Sequence, residues 1–233
     1  MPLAAVIFDF DGVLADSEPV HLHVFQTVLD QIGVTLTAEE YYARYLGYSD
    51  RDAFIHVLRD RGQTIEDAEL DALLETKKEL FPQAIGDHAL YAGAAACIER
   101  VAAAVPVAIA SGALRHEIEL ILDRSGLRDR FPLIVAAGET PRSKPAPDPY
   151  ARAFQLLRES GRLPVGASPA DVVAIEDSEW GLQSARGAGL RTMGVLTSYT
   201  RDRLPSAEDV VASIADVTVE RLEQLVASER VGA

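Results

Sequence analysis

Two aspartates two positions apart, Asp9 and Asp11, close the apolar run Ala5-Val6-Ile7-Phe8, and Gly12 follows them. A β-branched apolar run ended by a turn residue reads as a buried strand of a parallel sheet. Alternation along that strand sends Asp9 and Asp11 to one side and Phe8 and Phe10 to the other. Gly12 opens a backbone path closed to most residues. The carboxyl end of a buried strand is where open α/β sheets bind ligands. Two carboxylates there repel each other and lose hydration, and a divalent cation between them relieves both costs. Two plainer readings compete. An aspartate after a strand can simply open a turn. A calcium loop matches the spacing of Gly12 and Glu18 but puts Ile7 at its first ligand position, with a strand before it instead of a helix. The remaining reading is a metal-assisted phosphoryl-transfer site.

That reading makes demands on the rest of the chain, and three later segments answer them. Ser111-Gly112 follows the apolar run Pro106–Ala110, and Glu176-Asp177-Ser178 follows Val172–Ile175. Lys144 stands in Ser143-Lys144-Pro145-Ala146-Pro147-Asp148-Pro149, just before a helical pattern. The chain has only three lysines; Lys77 and Lys78 read as a solvated helix face, which singles out Lys144. Taken singly, each of these residues has a bland role: Ser111 as a helix cap, Glu176 and Asp177 as a turn, Lys144 as a surface charge.

The elements that must position these groups follow from periodicity. Residues 16–90 read as helices only. Ser17 with Pro19 opens the first, and Gly33 closes it. Thr37-x-x-Glu40 has the form of a capping box, Ser49 opens the next helix, and Thr64 starts one that Pro82 breaks. From residue 91 strands alternate with helices: strands at 106–110, 133–136, 172–175 and 192–196, with a short edge at Val210-Val211. The expectation is an α/β fold with a doubly wound parallel sheet. Its core comprises 1–15 and 91–233, and a helical cap of 16–90 is inserted after the first strand, where it forms a natural lid. The tyrosines 41, 42, 45 and 48 read as cap core, and Trp180 as packed between helix and sheet.

Composition limits the partners. With 36 acidic and 22 basic residues the net charge is −14, which argues against nucleic acid or an anionic membrane. An anionic substrate must therefore find its positive charge within the site. The single cysteine, Cys97, rules out an internal disulfide framework and a cysteine-rich zinc site and fits a reducing cytoplasm. No signal peptide is read at the start, and the longest apolar run, Val101–Ala110, is too short to span a bilayer. A cytoplasmic monomer or weak homodimer is expected.

Asp9-Phe10-Asp11-Gly12, Ser111-Gly112, Lys144-Pro145 and Glu176-Asp177-Ser178, in this order and with a cap-sized insert, resemble the haloacid dehalogenase superfamily, in its phosphatase and phosphomutase branch. The resemblance implies a nucleophile at Asp9, which forms an aspartyl phosphate, and a general acid and base at Asp11. It implies Mg2+ held by Asp9, the Asp11 backbone carbonyl, Asp177 and waters, while Glu176 either ligates the ion or orders the groups around it. Ser111, Gly112 and Lys144 would bind the phosphoryl group. His21 either couples lid closure to Asp11 or lies at the hinge. Gly47, Tyr48, Ser49 and Arg51 are candidates for substrate contact from the cap.

Within the branch, dehalogenation is disfavoured because Asp11 is present, and phosphonate cleavage because Lys77 and Lys78 stand late in the insert. A β-phosphoglucomutase-like enzyme is the main rival. It must grip a second phosphate, yet Leu46, Asp50 and Ala113-Leu114 stand where basic or polar residues are expected, leaving Arg51 or Arg115 as substitutes. The expected activity is a Mg2+-dependent phosphatase for a small phosphorylated metabolite such as a sugar phosphate. A receiver-like phosphoacceptor domain is the reading from another class.

Overall fold

The computed structural model describes residues 2–45, 48–86 and 89–228. The chain divides into two compact units, one of Met1–Asp16 with Asp87–Ala233 and the other of Ser17–Gly86. Strand β1 (Ala5–Phe8) comes first, and the helices α1 (Glu18–Gln31), α2 (Ala38–Glu40), α3 (Asp50–Asp60) and α4 (Asp67–Ala84) form the second unit. The first unit resumes with α5 (Ala94–Ala102), β2 (Val107–Ala110), α6 (Arg115–Arg124), β3 (Ile134–Val135) and α7 (Asp148–Glu159). It ends with β4 (Val172–Glu176), α8 (Glu179–Gly187), β5 (Arg191–Val195), β6 (Asp209–Val211) and α9 (Val219–Ala227).

The six strands form one parallel sheet in the order β3-β2-β1-β4-β5-β6. This is the α/β architecture expected from the alternation of elements. Strand β1 is central: Val6 is in register with Val107 on one side and Val173 on the other. All four of its residues are buried, as a strand covered on both faces requires. The chain builds outward from β1 to β3 on one side, then crosses back to β4, so strand order reverses between β1 and β4. Such a switch point leaves a crevice at the carboxyl ends of the strands. Beneath it, Ile7, Ala108, Ala174, Tyr150, Phe154 and Leu157 share one core cluster, in which α7 packs on the sheet.

The helical unit has its own core of Val24, Phe25, Val28, Leu29, Phe54, Val57 and Leu70. The Thr37–Glu40 capping box is present, and Tyr41–Tyr45 continues α2 as a π-helical turn. Tyr41 and Tyr45 enter the core, whereas Tyr42 and Tyr48 stay exposed.

Several local expectations need correction. Lys77 is not solvated but fully buried in α4. Its Nζ lies 2.7 Å from the Asp50 carboxylate and 3.0 Å from His21 Nδ1, and within 5.0 and 5.5 Å of the Phe25 and Phe81 ring centres. Helical periodicity alone does not reveal such a partner set, because α1 and α3 supply all of it but Phe81. Helix α4 starts at Asp67, not Thr64, through a Glu66–Glu69 capping box, and it runs two residues past Pro82. The amide of Ile85 still reaches Phe81 O at 3.0 Å, so the proline removes one bond near the helix end without stopping it. Ser17 precedes α1 without a side-chain cap bond. Trp180 is 55% exposed, because α8 turns Gly181, Leu182, Ser184 and Ala185 inward instead.

Removing one partner of a buried ion pair is costly. Lys77→Ala should lower unfolding free energy by about 2–3 kcal/mol, below the usual range for a broken buried pair because Asp50 is partly solvated. Lys77→Met, which keeps a stem between the two rings, should lose less. Chemical denaturation checks both, and equal losses would mean that packing contributes nothing to the effect.

Candidate active site

Asp9 is the first residue beyond β1, and its amide still donates to Ile175 O at 2.9 Å, so the β1–β4 ladder fixes its backbone. The chain then leaves the sheet. Leu14 and Ala15 amides both return to Phe10 O, at 2.8 and 2.9 Å, and close a tight turn around Gly12 at φ +77°. The strand alternation expected to align Asp9 with Asp11 therefore ends at Phe8. The acidic cluster that forms is Asp9, Glu176 and Asp177, without the Asp11 carboxylate. A Cβ on Gly12 would stand 2.1 Å from Asp177 Oδ2, so only glycine allows the β1 turn this close to Asp177.

Glu176 ends β4 and is fully buried. Its Oε1 accepts from Lys144 Nζ at 2.6 Å and Tyr150 OH at 3.0 Å. Its Oε2 accepts from the amides of Asp177 and Ser178, both at 3.2 Å, and from Ser178 Oγ at 3.0 Å. Gly181 makes room for this carboxylate, since a Cβ there would lie 1.7 Å from Oε1. Lys144 Nζ also lies 2.8 Å from Asp9 Oδ1 and 5.1 Å from the Tyr150 ring centre. One ammonium thus bridges two buried carboxylates, and both are fixed by sheet geometry.

Burial, then repulsion from Glu176, raises the Asp9 pKa, while Lys144 opposes the shift. Burial, Glu176 and Asp9 in turn push Asp177 well above the ordinary carboxylate range. Burial acts against the Lys144 ammonium, but Asp9 and Glu176 outweigh it and hold the lysine protonated. Three carboxylates against one lysine leave the cluster short of positive charge. Each of Asp9, Glu176 and Asp177 offers an oxygen, and these atoms lie within 4.8 Å of one another. An all-oxygen, buried and net-negative donor set suits a hard divalent cation. Asp9 and Asp177 are the better placed to hold one, because both Glu176 oxygens are already engaged.

Ser111 follows β2, beside β1, with its amide on Val135 O at 2.9 Å and its Oγ accepting from the Ala113 amide at 3.1 Å. It does not cap α6, whose flanking residue is Leu114. Gly112 is exposed and has open space where a Cβ would go.

Both arginines considered for a second phosphate are committed elsewhere. Arg115 forms a two-pronged pair with Glu139, at 2.6 and 2.8 Å, and also donates to Ile134 O. Arg51 bonds Asp67 and Asp71 at 2.7 and 2.9 Å. In the helical unit, Ser49 caps α3 by accepting from the Asp52 amide, and Tyr48 stacks on His56 at 4.4 Å. Gly47 lies outside the described residues. His21 is buried against Phe81 and Lys77; burial, then the lysine charge, pulls its pKa well down and keeps it neutral.

Sequence reasoning missed three contributors. Tyr150 stands in the helical pattern that follows Lys144 and carries no site signal of its own, yet its hydroxyl reaches Glu176. Thr197 and Ser198, just past β5, donate to Gly12 O and Asp177 Oδ2 respectively. Their position after a sheet strand was the available signal.

Residues 3–189 match the haloacid dehalogenase-like hydrolase family. The chain belongs to that family. Protein CbbY of Rhodobacter capsulatus is 33% identical over 217 residues, covering 90% of this chain and 92% of the relative. Fructose-1-phosphate phosphatase YqaB of Escherichia coli is 28% identical over 192 residues, covering 82% and 96%. The crystal structure of CbbY from Rhodobacter sphaeroides in complex with xylulose-(1,5)bisphosphate superposes with TM-score 0.77 at 28% identity, covering 93% and 96%. Membership in this family, with phosphatases among the relatives, places the chain among the phosphoric monoester hydrolases and sets aside the receiver-like reading. Among the described residues no helix is long and apolar enough to cross a membrane.

The crowded charge has a measurable consequence. Asp177→Asn removes one like charge, so the metal-free variant should melt about 2–4 °C higher than wild type at pH 7.5. Because the raised carboxylate pKa values mean that the folded state binds more protons than the unfolded state, wild type relieves the same repulsion as pH falls. The gain should therefore shrink at pH 5. Added Mg2+ should raise the melting temperature of wild type and not of the variant; a variant less stable than wild type without metal would contradict this account.

Proposed function

We propose that the enzyme is a Mg2+-dependent phosphatase for a small phosphorylated metabolite, a sugar phosphate being the best fit, acting through an aspartyl phosphate on Asp9. The observation that carries this reading is the bridge from Lys144 to Asp9 and Glu176, with Asp177 beside it, at the switch point of the sheet. It presents a buried nucleophilic carboxylate next to a fixed cation. A bound Mg2+, held by Asp9 and Asp177 with the Asp11 carbonyl, would lower the charge barrier to an approaching phosphate dianion.

The chain's own groups supply the remaining steps. The Asp9 carboxylate attacks phosphorus, and the ester P–O bond breaks. Asp11 donates a proton to the departing oxygen, then takes one from the water that attacks the aspartyl phosphate. Inorganic phosphate leaves and Asp9 is regenerated. Lys144 and Ser111 bind the transferring oxygens, with the amides near Gly112. Glu176, saturated by five donors, keeps Lys144 aimed at Asp9. The insert is given the role of a cap that sets specificity, on the ground that it interrupts the chain directly after the nucleophile's turn. His21, Tyr48 and Ser49 are its candidate contacts. The ion pairs of Arg51 and Arg115 favour hydrolysis over a mutase reaction, which must hold a second phosphate.

Phosphate release from a panel of sugar phosphates, with Mg2+ and with EDTA, tests the reading. Release from at least one ester, lost in EDTA, is expected. Conversion of β-glucose 1-phosphate to glucose 6-phosphate with little free phosphate would establish the mutase instead. Asp9→Asn should abolish turnover, by at least about 10³-fold, with an unchanged circular dichroism spectrum. Asp11→Asn should slow both formation and hydrolysis of the aspartyl phosphate in single-turnover experiments; a change in KM alone would remove its acid–base role.

A further inference from the structure

Two adjacent hydroxyls outside the four motifs join the two turns that carry the metal-site carboxylates. Thr197 and Ser198 lie in the loop after β5, on the far side of β4 from β1. Thr197 Oγ1 donates to Gly12 O, in the turn that follows Asp9 and Asp11. Ser198 Oγ donates to Asp177 Oδ2. That oxygen is also the atom a Cβ on Gly12 would strike, so the β1 turn, the Asp177 carboxylate and the 197–198 loop meet at one point.

Each carboxylate of the cluster has its own restraint. Asp9 is held by Lys144. Glu176 is held by Lys144, Tyr150, Ser178 and two amides. Asp177 feels repulsion from both, and the side-chain donor that restrains it is Ser198. Without a cation, that repulsion drives Asp177 away from the other two. A hydroxyl bound to one of its oxygens opposes the movement and leaves the other oxygen free to ligate. Hydrogen-bond partners of metal ligands act in this way, and their loss typically costs about 10–100-fold in metal affinity or activity.

We propose that Ser198, braced by Thr197, is a positioning residue that presets Asp177 for the divalent cation, so that this loop sets the affinity of the enzyme for Mg2+. The inference rests on the metal-dependent reading of the site given above. It assigns Ser198 no contact with the substrate.

The test is calorimetric titration of Mg2+ into the metal-free full chain. Ser198→Ala should raise the Kd for Mg2+ about tenfold. Ser198→Thr, which keeps the hydroxyl, should restore it to within about threefold of wild type, and Thr197→Val should give a smaller rise than Ser198→Ala. Ser198 is exposed, so truncation empties no core. In parallel, hydrolysis of p-nitrophenyl phosphate should show the shift in the Mg2+ concentration for half-maximal rate, and not in KM for the ester. A merely structural role of the loop would not separate those two constants. Mg2+ affinity in Ser198→Ala within twofold of wild type overturns the proposal, as does a Ser198→Thr variant as weak as Ser198→Ala. If the titrations behave as expected but wild type releases no phosphate from any ester, the phosphatase reading fails while the role of Ser198 stands.

Discussion

The structure of the sheet unit depends on an electrostatic conflict at its switch point. Asp9, Glu176 and Asp177 are brought together by the pairing of β1 with β4, where burial makes like charges costly. One lysine offsets part of that cost. Hydroxyl and amide donors fix the geometry without adding net charge, and the remaining excess of negative charge gives the cluster a donor set that could hold a hard cation. The rest of the neighbourhood follows from holding these groups still: a saturated Glu176, a buried tyrosine beneath the lysine, and a loop from β5 across the top.

Close approach imposes a second constraint, and glycine satisfies it twice. Gly12 lets the β1 turn come against Asp177, and Gly181 lets the start of α8 come down on Glu176. Each position would put a side-chain carbon inside a carboxylate. A site in which charges must sit within a few ångströms of one another thus dictates backbone as well as side chains. The helical unit solves a related problem differently. It buries Lys77 between two aromatic rings and gives it an aspartate and a neutral histidine, so a lone cation is accommodated by partners from three helices.

Much of the core was legible because its signals are local. An apolar run that ends in Asp-x-Asp-Gly, and others that end in Ser-Gly or Glu-Asp-Ser, mark strand ends by composition alone. Their alternation with helical periodicity gives a parallel sheet. The hydroxyls of Tyr150, Thr197 and Ser198 were not legible as site groups. Each partners a residue at least 21 positions away, and although Thr197 and Ser198 follow a strand, nothing in the local sequence names the partner. Lys77 was misread for the same reason: a lysine on an amphipathic helix looks solvated until the facing helices are known. Asp11 was placed by strand alternation, which lapses where the chain turns away from the ladder.

The sequence by itself determined the residue types of the site, their order, the α/β class and the family. These depend on short-range patterns and on chemistry that admits few alternatives. Only the tertiary structure decided which carboxylates converge, which oxygen each donor engages, and which arginines are already committed to acids. Those outcomes depend on strand order and on distances between residues far apart in the chain. A change of a few ångströms there separates an ion pair from two independent charges, and no local pattern encodes that distance.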